Sequence, residues 1–439
     1  MEDNAASRPA LLAKQHILFA SRHAKFLPTA YQQEDSNRMT LAYFCLASLA
    51  LLPSSAVSSA NPELSALEVM LKDSQREGFR NWVYEQQLPS GGFRGSESLG
   101  GGNGQSTAKS GATEAAAGPA SSPTAPSSSS STGTFTSLDT PHIIQSYTAL
   151  LNLALLNDDF LRLNRRGLLD FLGACQNEDG SFSHFPGCSE DPDPRSTYSA
   201  FAIASMLNDW STVNIDRALD FLNSCRRYEG GFAQRPGAEA NAGPTYCAVA
   251  SFSLASRLSS IPQPEKLLRW LVDRQVRPPP PAPSSEGSDD EEEEEDEKGA
   301  EEEAEKAGFQ GRANKPTDAC YSFWSTAALE LLLPALPSNP PLTLPDVLDP
   351  ALDRAWLLGC QHPLYGGIAR EPRAPPDVYH TYLSLAALSL GNHTLPPSAS
   401  SASSASEPPL SLARLDAGWN VPVPVAQRIR DRLSKKKDT

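Results

Sequence analysis

Asp318 and Cys320, a hard and a soft metal donor two residues apart, lie in the stretch GFQGRANKPTDACYSFW between Gly308 and Trp324. Arg312 and Lys315 put two fixed cations a short loop upstream, and His380, in DVYHTY, offers an imidazole further along the chain. Carboxylate, thiolate and imidazole together suit a tetrahedral ion such as zinc with one position left for substrate. Each residue also has a plainer reading. Asp is a preferred helix N-cap, Cys a small core residue, and Arg312 with Lys315 a solvated loop.

The elements that must position these residues recur along the chain. Five amphipathic segments each run into a Gly-rich turn: WVYEQQLPSGGF to Phe93, FLGACQNEDGSF to Phe182, FLNSCRRYEGGF to Phe232, an interrupted WLVDRQ…AGF to Phe309, and WLLGCQHPLYGGI to Ile368. After each comes a second helix rich in Ala, Leu and Ser, starting near Pro141, Arg195, Gly243, Asp318 and Asp377, and RMTLAYFCLASLALL from Arg38 opens the series. Six apolar helices alternating with wetter ones predict an all-α fold, an α/α toroid of six hairpins with buried inner and half-exposed outer helices. The glycines are expected to end the outer helices as left-handed C-caps. Aligned on their turns, Cys320 and His380 take the register of Thr197 and Thr245, which sets them side by side at one rim of the ring. Tyr43, Tyr147, Tyr198, Tyr246 and Trp324 recur near the starts of inner helices and could line an apolar tube along the axis.

Composition narrows the class. Fourteen acids and two lysines between Glu286 and Lys306 account for twelve of the fifteen net negative charges, so the folded body is close to neutral and carries no signal for nucleic acid. Seven cysteines scattered through helical patterns do not form a disulfide framework and fit a reducing compartment. The apolar run Leu41–Leu52 stops at Pro53, too short to span a bilayer, and lies too far into the chain to be a signal peptide. The expected protein is cytoplasmic, without stable membrane insertion. Its organisation reads as toroid at 1–94, 138–277 and 307–392, with a Ser/Gly-rich insert at 95–137, a Pro-rich acidic insert at 278–306, both expected to be disordered, and a Ser/Pro-rich, basic tail at 393–439 ending solvated.

GFQGRANKPTDACYSFW, DVYHTY, RSTYSAFAIASMLNDW and the repeated GGF turns resemble the β subunits of protein prenyltransferases, over most of the ordered chain. The resemblance implies an α/α barrel paired with a helical α subunit. The implied activity is a zinc-dependent transfer of an isoprenoid from its diphosphate to a cysteine near a protein C-terminus, the CaaX sequences of small GTPases and similar proteins. It gives Asp318, Cys320 and His380 as the zinc ligands, one ion per subunit. Arg312, Lys315 and Tyr321 resemble diphosphate-binding residues, and Arg195, Tyr198 and Trp324 resemble residues of the isoprenoid pocket. Thr40 stands where farnesyltransferases carry a bulky Trp, which favours the longer geranylgeranyl diphosphate. Arg370 stands where farnesyltransferases carry a magnesium-holding Asp, and its guanidinium could replace that ion, so magnesium is not expected to be required. Both point to the type I geranylgeranyltransferases. One position departs: Asn241 stands where the family usually has His, and an amide can donate to a phosphate oxygen but cannot carry a proton. A farnesyltransferase β subunit and a non-catalytic helical scaffold with structural zinc remain as alternatives. The scaffold should have a fourth protein ligand, for which the sequence offers no obvious candidate. A terpenoid cyclase relative would carry an Asp-rich DxDD run, which is missing.

Overall fold

The computed structural model of the chain describes residues 10–96, 140–188, 192–277, 307–392 and 410–435. Nearly all of the insert expected at 95–137, the insert expected at 278–306 and the start of the tail fall outside these residues. In chain order the main helices are α1 (Ala13–His23), α2 (Arg38–Leu51), α3 (Asp73–Glu85), α4 (Ile143–Leu155), α5 (Arg165–Cys175), α6 (Pro194–Leu207), α7 (Ile215–Ser224), α8 (Ala242–Leu254), α9 (Pro264–Val272), α10 (Ala319–Leu332), α11 (Pro350–Gly359), α12 (Val378–Asn392) and α13 (Val423–Arg428). The inner ring is α2, α4, α6, α8, α10 and α12, each packed on its neighbours and α12 on α2, so the ring closes. These helices are buried almost all round, whereas an outer helix such as α9 buries one stripe, Leu267, Trp270 and Leu271. The predicted α/α toroid is the observed fold.

α1, which the repeat pattern did not reveal, completes the outer ring. A side chain at the end of each outer helix clasps the backbone that begins the next. Gln176 accepts from Asn214 N at 2.8 Å and donates to Asn214 O at 2.9 Å, and Gln275 does the same with Asp349. Gln87 clasps Asn164, and Arg226 donates to Gln263 O. Gln361 closes the circle by accepting from Leu12 N and donating to Ala10 O. His16 adds to this seam: one ring nitrogen meets Gln361 and the other accepts from Gly367 N. Burial lowers the His16 pKa to about 4, so it is neutral there.

The glycines do a different job from the one their position predicts. Gln86 and Cys225 close α3 and α7 in the right-handed region, and Gly91 and Gly230 come several residues later, at φ of 96° and 117°, inside a tight turn. The turn is a small hairpin whose ends bridge Gln87 to Phe93 and Arg226 to Phe232. Glycine is required because the next outer helix abuts it: a Cβ on Gly91 would sit 1.8 Å from the Gly167 carbonyl carbon.

The basic end is not solvated as the sequence suggested. Leu412, Leu415, Trp419, Val421, Ile429 and Leu433 are buried, and the turn from Ala417 to Asn420 enters the axis of the ring. There four phenols donate to four successive carbonyls: Tyr246 to Ala417, Tyr198 to Gly418, Tyr147 to Trp419 and Tyr43 to Asn420, with Tyr382 also on Asn420. A charge count of KKK and three arginines hid the apolar stripe Val425, Ile429, Leu433 within the same segment. The tyrosines expected to line an open tube therefore spend their hydroxyls on a backbone plug.

Candidate metal centre

Each inner helix from α4 onward begins with a side chain that caps it. His142, Asp193, Asn241 and Asp318 accept from the backbone N–H two residues on, and Asp377 accepts from His380 N. Four residues after the cap a hydroxyl ties the helix to the preceding turn: Ser146 accepts from Phe93 N, Thr245 from Phe232 N and Thr381 from Ile368 N. Ser322 and Thr381 are thus the true counterparts of Thr197 and Thr245. The register assigned from sequence to Cys320 and His380 was wrong. They sit two and three residues after the caps of adjacent helices α10 and α12, in the first turn of each, and so share the rim for a different reason.

The donor atoms of Asp318, Cys320 and His380 lie within 4.8 Å of one another. Asp318 is both cap and donor: its Oδ1 accepts from Cys320 N at 2.9 Å and stands 3.2 Å from His380 Nε2. The plain and the chemical readings of this residue are both true. His380 Nδ1 meets Asp377 Oδ2 at 2.6 Å, which fixes the ring and leaves Nε2 aimed at the cluster. Burial pushes the Cys320 thiol up to about 11, opposed by the His380 side chain. Burial alone would lower His380, but Asp318, Asp377 and Cys320 raise it to about 11. Burial would also raise Asp318, yet hydrogen bonds from His380 and Cys320 leave it below the ordinary carboxylate range. A proton on His380 answers the charge of two carboxylates, and a divalent cation would answer it better. One carboxylate, one thiol and one imidazole oriented by a second carboxylate fit zinc with a free position.

Around this centre the other expected site residues divide. Tyr321 lies over Gly311, where a Cβ would come 2.0 Å from its ring, and its hydroxyl pairs with the Asn241 side chain. Asn241 also caps α8. Arg312 is half-exposed and bridges to Glu239 at 3.2 Å, and Lys315 is exposed. Arg370 is exposed and pairs with Glu371, while its carbonyl accepts from Ala319 N; Glu371 first, then the charges of Asp318 and Cys320, keep its pKa raised. Elsewhere on the ring, Arg195 pairs with its own cap Asp193, and Thr40 donates to Gln145 Oε1 at 2.9 Å. Trp324 packs on Tyr246 at 5.2 Å between ring centroids, and Tyr198 belongs to the axial phenol cluster. Tyr379, which the sequence reading passed over, touches the centre directly, and the signal was present: it stands two residues after its cap, as Cys320 does.

Among the described residues no helix is long and apolar enough to cross a membrane, and all seven cysteines are free. The sequence profile of the Prenyltransferase alpha-alpha toroid domain matches residues 11–421. The "Geranylgeranyl transferase type-1 subunit beta" of Dictyostelium discoideum is 32% identical over 391 residues, covering 85% of this chain and 89% of the relative. The "Protein farnesyltransferase subunit beta" of Schizosaccharomyces pombe is 26% identical over 380 residues, covering 86% and 77%. Among solved structures, "Candida albicans protein geranylgeranyltransferase-I complexed with GGPP" shares the fold with a TM-score of 0.68 and 23% identity, covering 96% of this chain and 99% of that one. The chain belongs to the prenyltransferase α–α toroid family of enzymes, where it is similar to the type-1 geranylgeranyl transferase β subunits.

Proposed function

We propose that this chain is the β subunit of a heterodimeric type I protein geranylgeranyltransferase, acting in the cytoplasm on the cysteine of C-terminal CaaX sequences. The observation that carries the reading is the convergence of Asp318, Cys320 and His380 within 4.8 Å, with Asp377 holding the imidazole. The GGPP complex of the Candida relative supports the choice of donor.

Asp318, Cys320 and His380 would hold zinc, and the bound ion would supply a Lewis acid that acidifies a substrate thiol, whose ordinary pKa is about 8.5. In the transfer the thiol proton passes to solvent, a carbon–sulfur bond forms as the C1–oxygen bond breaks, and the electron pair leaves on diphosphate. Arg312, Lys315, Arg370 and the Tyr321 hydroxyl meet the charge gathering on that leaving group, Arg312 and Arg370 turning to it from Glu239 and Glu371. Asn241 holds Tyr321 and adds an amide donor, but no proton. Aromatic faces such as Trp324 and Tyr198 favour partial positive charge on the allylic carbon. Thr40 leaves room for a twenty-carbon chain, and Arg370 stands in for magnesium.

The test is a competition between geranylgeranyl and farnesyl diphosphate on the purified heterodimer, with peptides ending in Leu against Ser, Met or Gln and magnesium chelated. Preference for the longer donor and for Leu, with turnover kept after chelation, is expected. Strong preference for farnesyl diphosphate overturns the reading of Thr40, and full dependence on magnesium overturns that of Arg370.

A further inference from the structure

Thr40 is short, but the space beside it is not empty. Gln145, three residues after the His142 cap of α4, is only 4% exposed and spans the gap between α4 and α2. Its Oε1 accepts from the Thr40 hydroxyl at 2.9 Å, and its Nε2 donates to Asn37 Oδ1 at 2.9 Å. Asn37 in turn donates to Glu34 Oε2 at 2.8 Å, so one chain of bonds runs from an exposed carboxylate to a buried amide. Thr148 Oγ1 stands 3.4 Å from Thr40 Oγ1, and a Cβ on Gly95 would come 3.3 Å from the Gln145 carboxamide carbon. The amide is therefore held from several sides. Its orientation is also fixed: turned over, it would set its oxygen against the Asn37 oxygen, because the Asn37 Nδ2 is already spent on Glu34.

We propose that Gln145 is a specificity-determining residue for the prenyl donor: hydrogen-bonded to Thr40, it forms the stop that fixes how long a chain the site accepts. The proposal rests on the reading of Thr40 as the position beside the end of that chain. A glutamine with free polar atoms would be a poor wall for hydrocarbon, since burying an unpaired amide is costly. Here the oxygen and one N–H are already bonded within the protein, so the amide can face an apolar tail at little cost. The same two bonds resist its displacement. A fifteen-carbon chain ends short of the stop, a twenty-carbon chain reaches it, and a twenty-five-carbon chain has to push it aside. Selection against longer donors thus lies in a bond between two repeats, and selection against shorter ones is left to the contacts they fail to make.

The test sets geranylgeranyl diphosphate against its twenty-five-carbon homologue, geranylfarnesyl diphosphate, on the purified heterodimer. The ratio of the two kcat/KM values reads the stop and does not depend on how much of a variant is folded. Gln145→Ala deletes the stop and should raise the ratio in favour of the longer donor about tenfold or more, the discrimination that a methylene or so of pocket space carries. Thr40→Val keeps the size of the side chain and removes only its hydroxyl, so it should move the ratio in the same direction by less. Added to Gln145→Ala, it should have no further effect, because the bond is already gone. No shift with Gln145→Ala overturns the proposal. A shift with Gln145→Ala but none with Thr40→Val overturns it too, since bulk alone would then be the stop. Thr40→Trp separates the proposal from the reading beneath it. If that variant does not move selection toward farnesyl diphosphate, the reading of Thr40 falls and the proposal with it; if it does while Gln145→Ala and Thr40→Val change nothing, the proposal alone falls.

Discussion

The α10–α12 side of the rim and the α2–α4–α6 side are built from the same first turns, yet only one gathers metal donors. On both sides a side-chain cap starts the helix, α2 excepted, and the residues two and three places after the N-terminal position face the neighbouring repeat. At α10 and α12 those places hold Cys320, Tyr321, Tyr379 and His380, and the side chains meet one another. At α2, α4 and α6 they hold Thr40, Gln145 and Arg195. Thr40 and Gln145 satisfy each other, and Arg195 turns back to Asp193. The fold supplies equivalent positions all round the ring, and two substitutions in one neighbourhood turn them into a centre.

The largest effect comes from breaking the first side. Cys320→Ala should remove zinc from the heterodimer and lower kcat/KM by a factor on the order of 10³ or more, the range seen when a principal electrostatic element is lost. Melting should hardly change, since the Cys320 Cα remains in α10. Retained zinc with full turnover would sink the assignment. Asp377→Ala should act on the same centre more weakly, through the freed imidazole, reducing metal affinity about 10- to 100-fold in a chelator competition. The same kind of change on the other side should alter selection instead. Thr40→Trp would fill the space beside Gln145 and Thr148, and the expected result is a shift from geranylgeranyl toward farnesyl diphosphate with zinc content unchanged.

A third region sharpens the contrast, because its polar groups serve stability alone. Tyr198 donates to Gly418 O at 3.1 Å inside the plugged axis. Tyr198→Phe leaves that buried carbonyl with a lost partner, worth about 1–2 kcal/mol. Calorimetry should record a lower melting temperature, and a metal assay should record no change.

What the residues disclosed, and what they hid, follows from the range of each interaction. The toroid was legible because burial imposes a period on every helix, and the triad because donor types are rare and their neighbours specific. The register of Cys320 was misread because hydroxyls and thiols look alike in an alignment of short helices, while the bond from Ser146, Thr245 or Thr381 to the preceding turn is visible only in three dimensions. The C-terminal plug escaped for a related reason. Its partners, Tyr43 to Tyr382, lie at great sequence distance, and backbone carbonyls have no residue type to recognise. α1 escaped because the clasp of Gln361 on Leu12 joins the two ends of the repeat array.

The smallest expected effect lies beneath the centre, at Asp353 on α11. Its carboxyl is buried, accepts from Ser322 Oγ at 2.6 Å, and is pushed by burial up to about 7, with Asp349 adding to the rise and Ser322 opposing it. In the unfolded chain the same group titrates near 4. Between these values the folded state keeps a proton that the unfolded state has lost, so this group's contribution to stability falls as pH rises through the window and is level above about 7. Asp353→Asn retains an acceptor for Ser322 and carries no charge, so it should raise the melting temperature by about 2–4 °C at pH 8. The gain should shrink toward pH 5, because there the wild-type carboxyl is still protonated in the fold. An equal gain at both values would mean that Asp353 keeps its charge when buried, and that Ser322, one turn below the Asp318 cap, works against a carboxylate rather than a neutral acid.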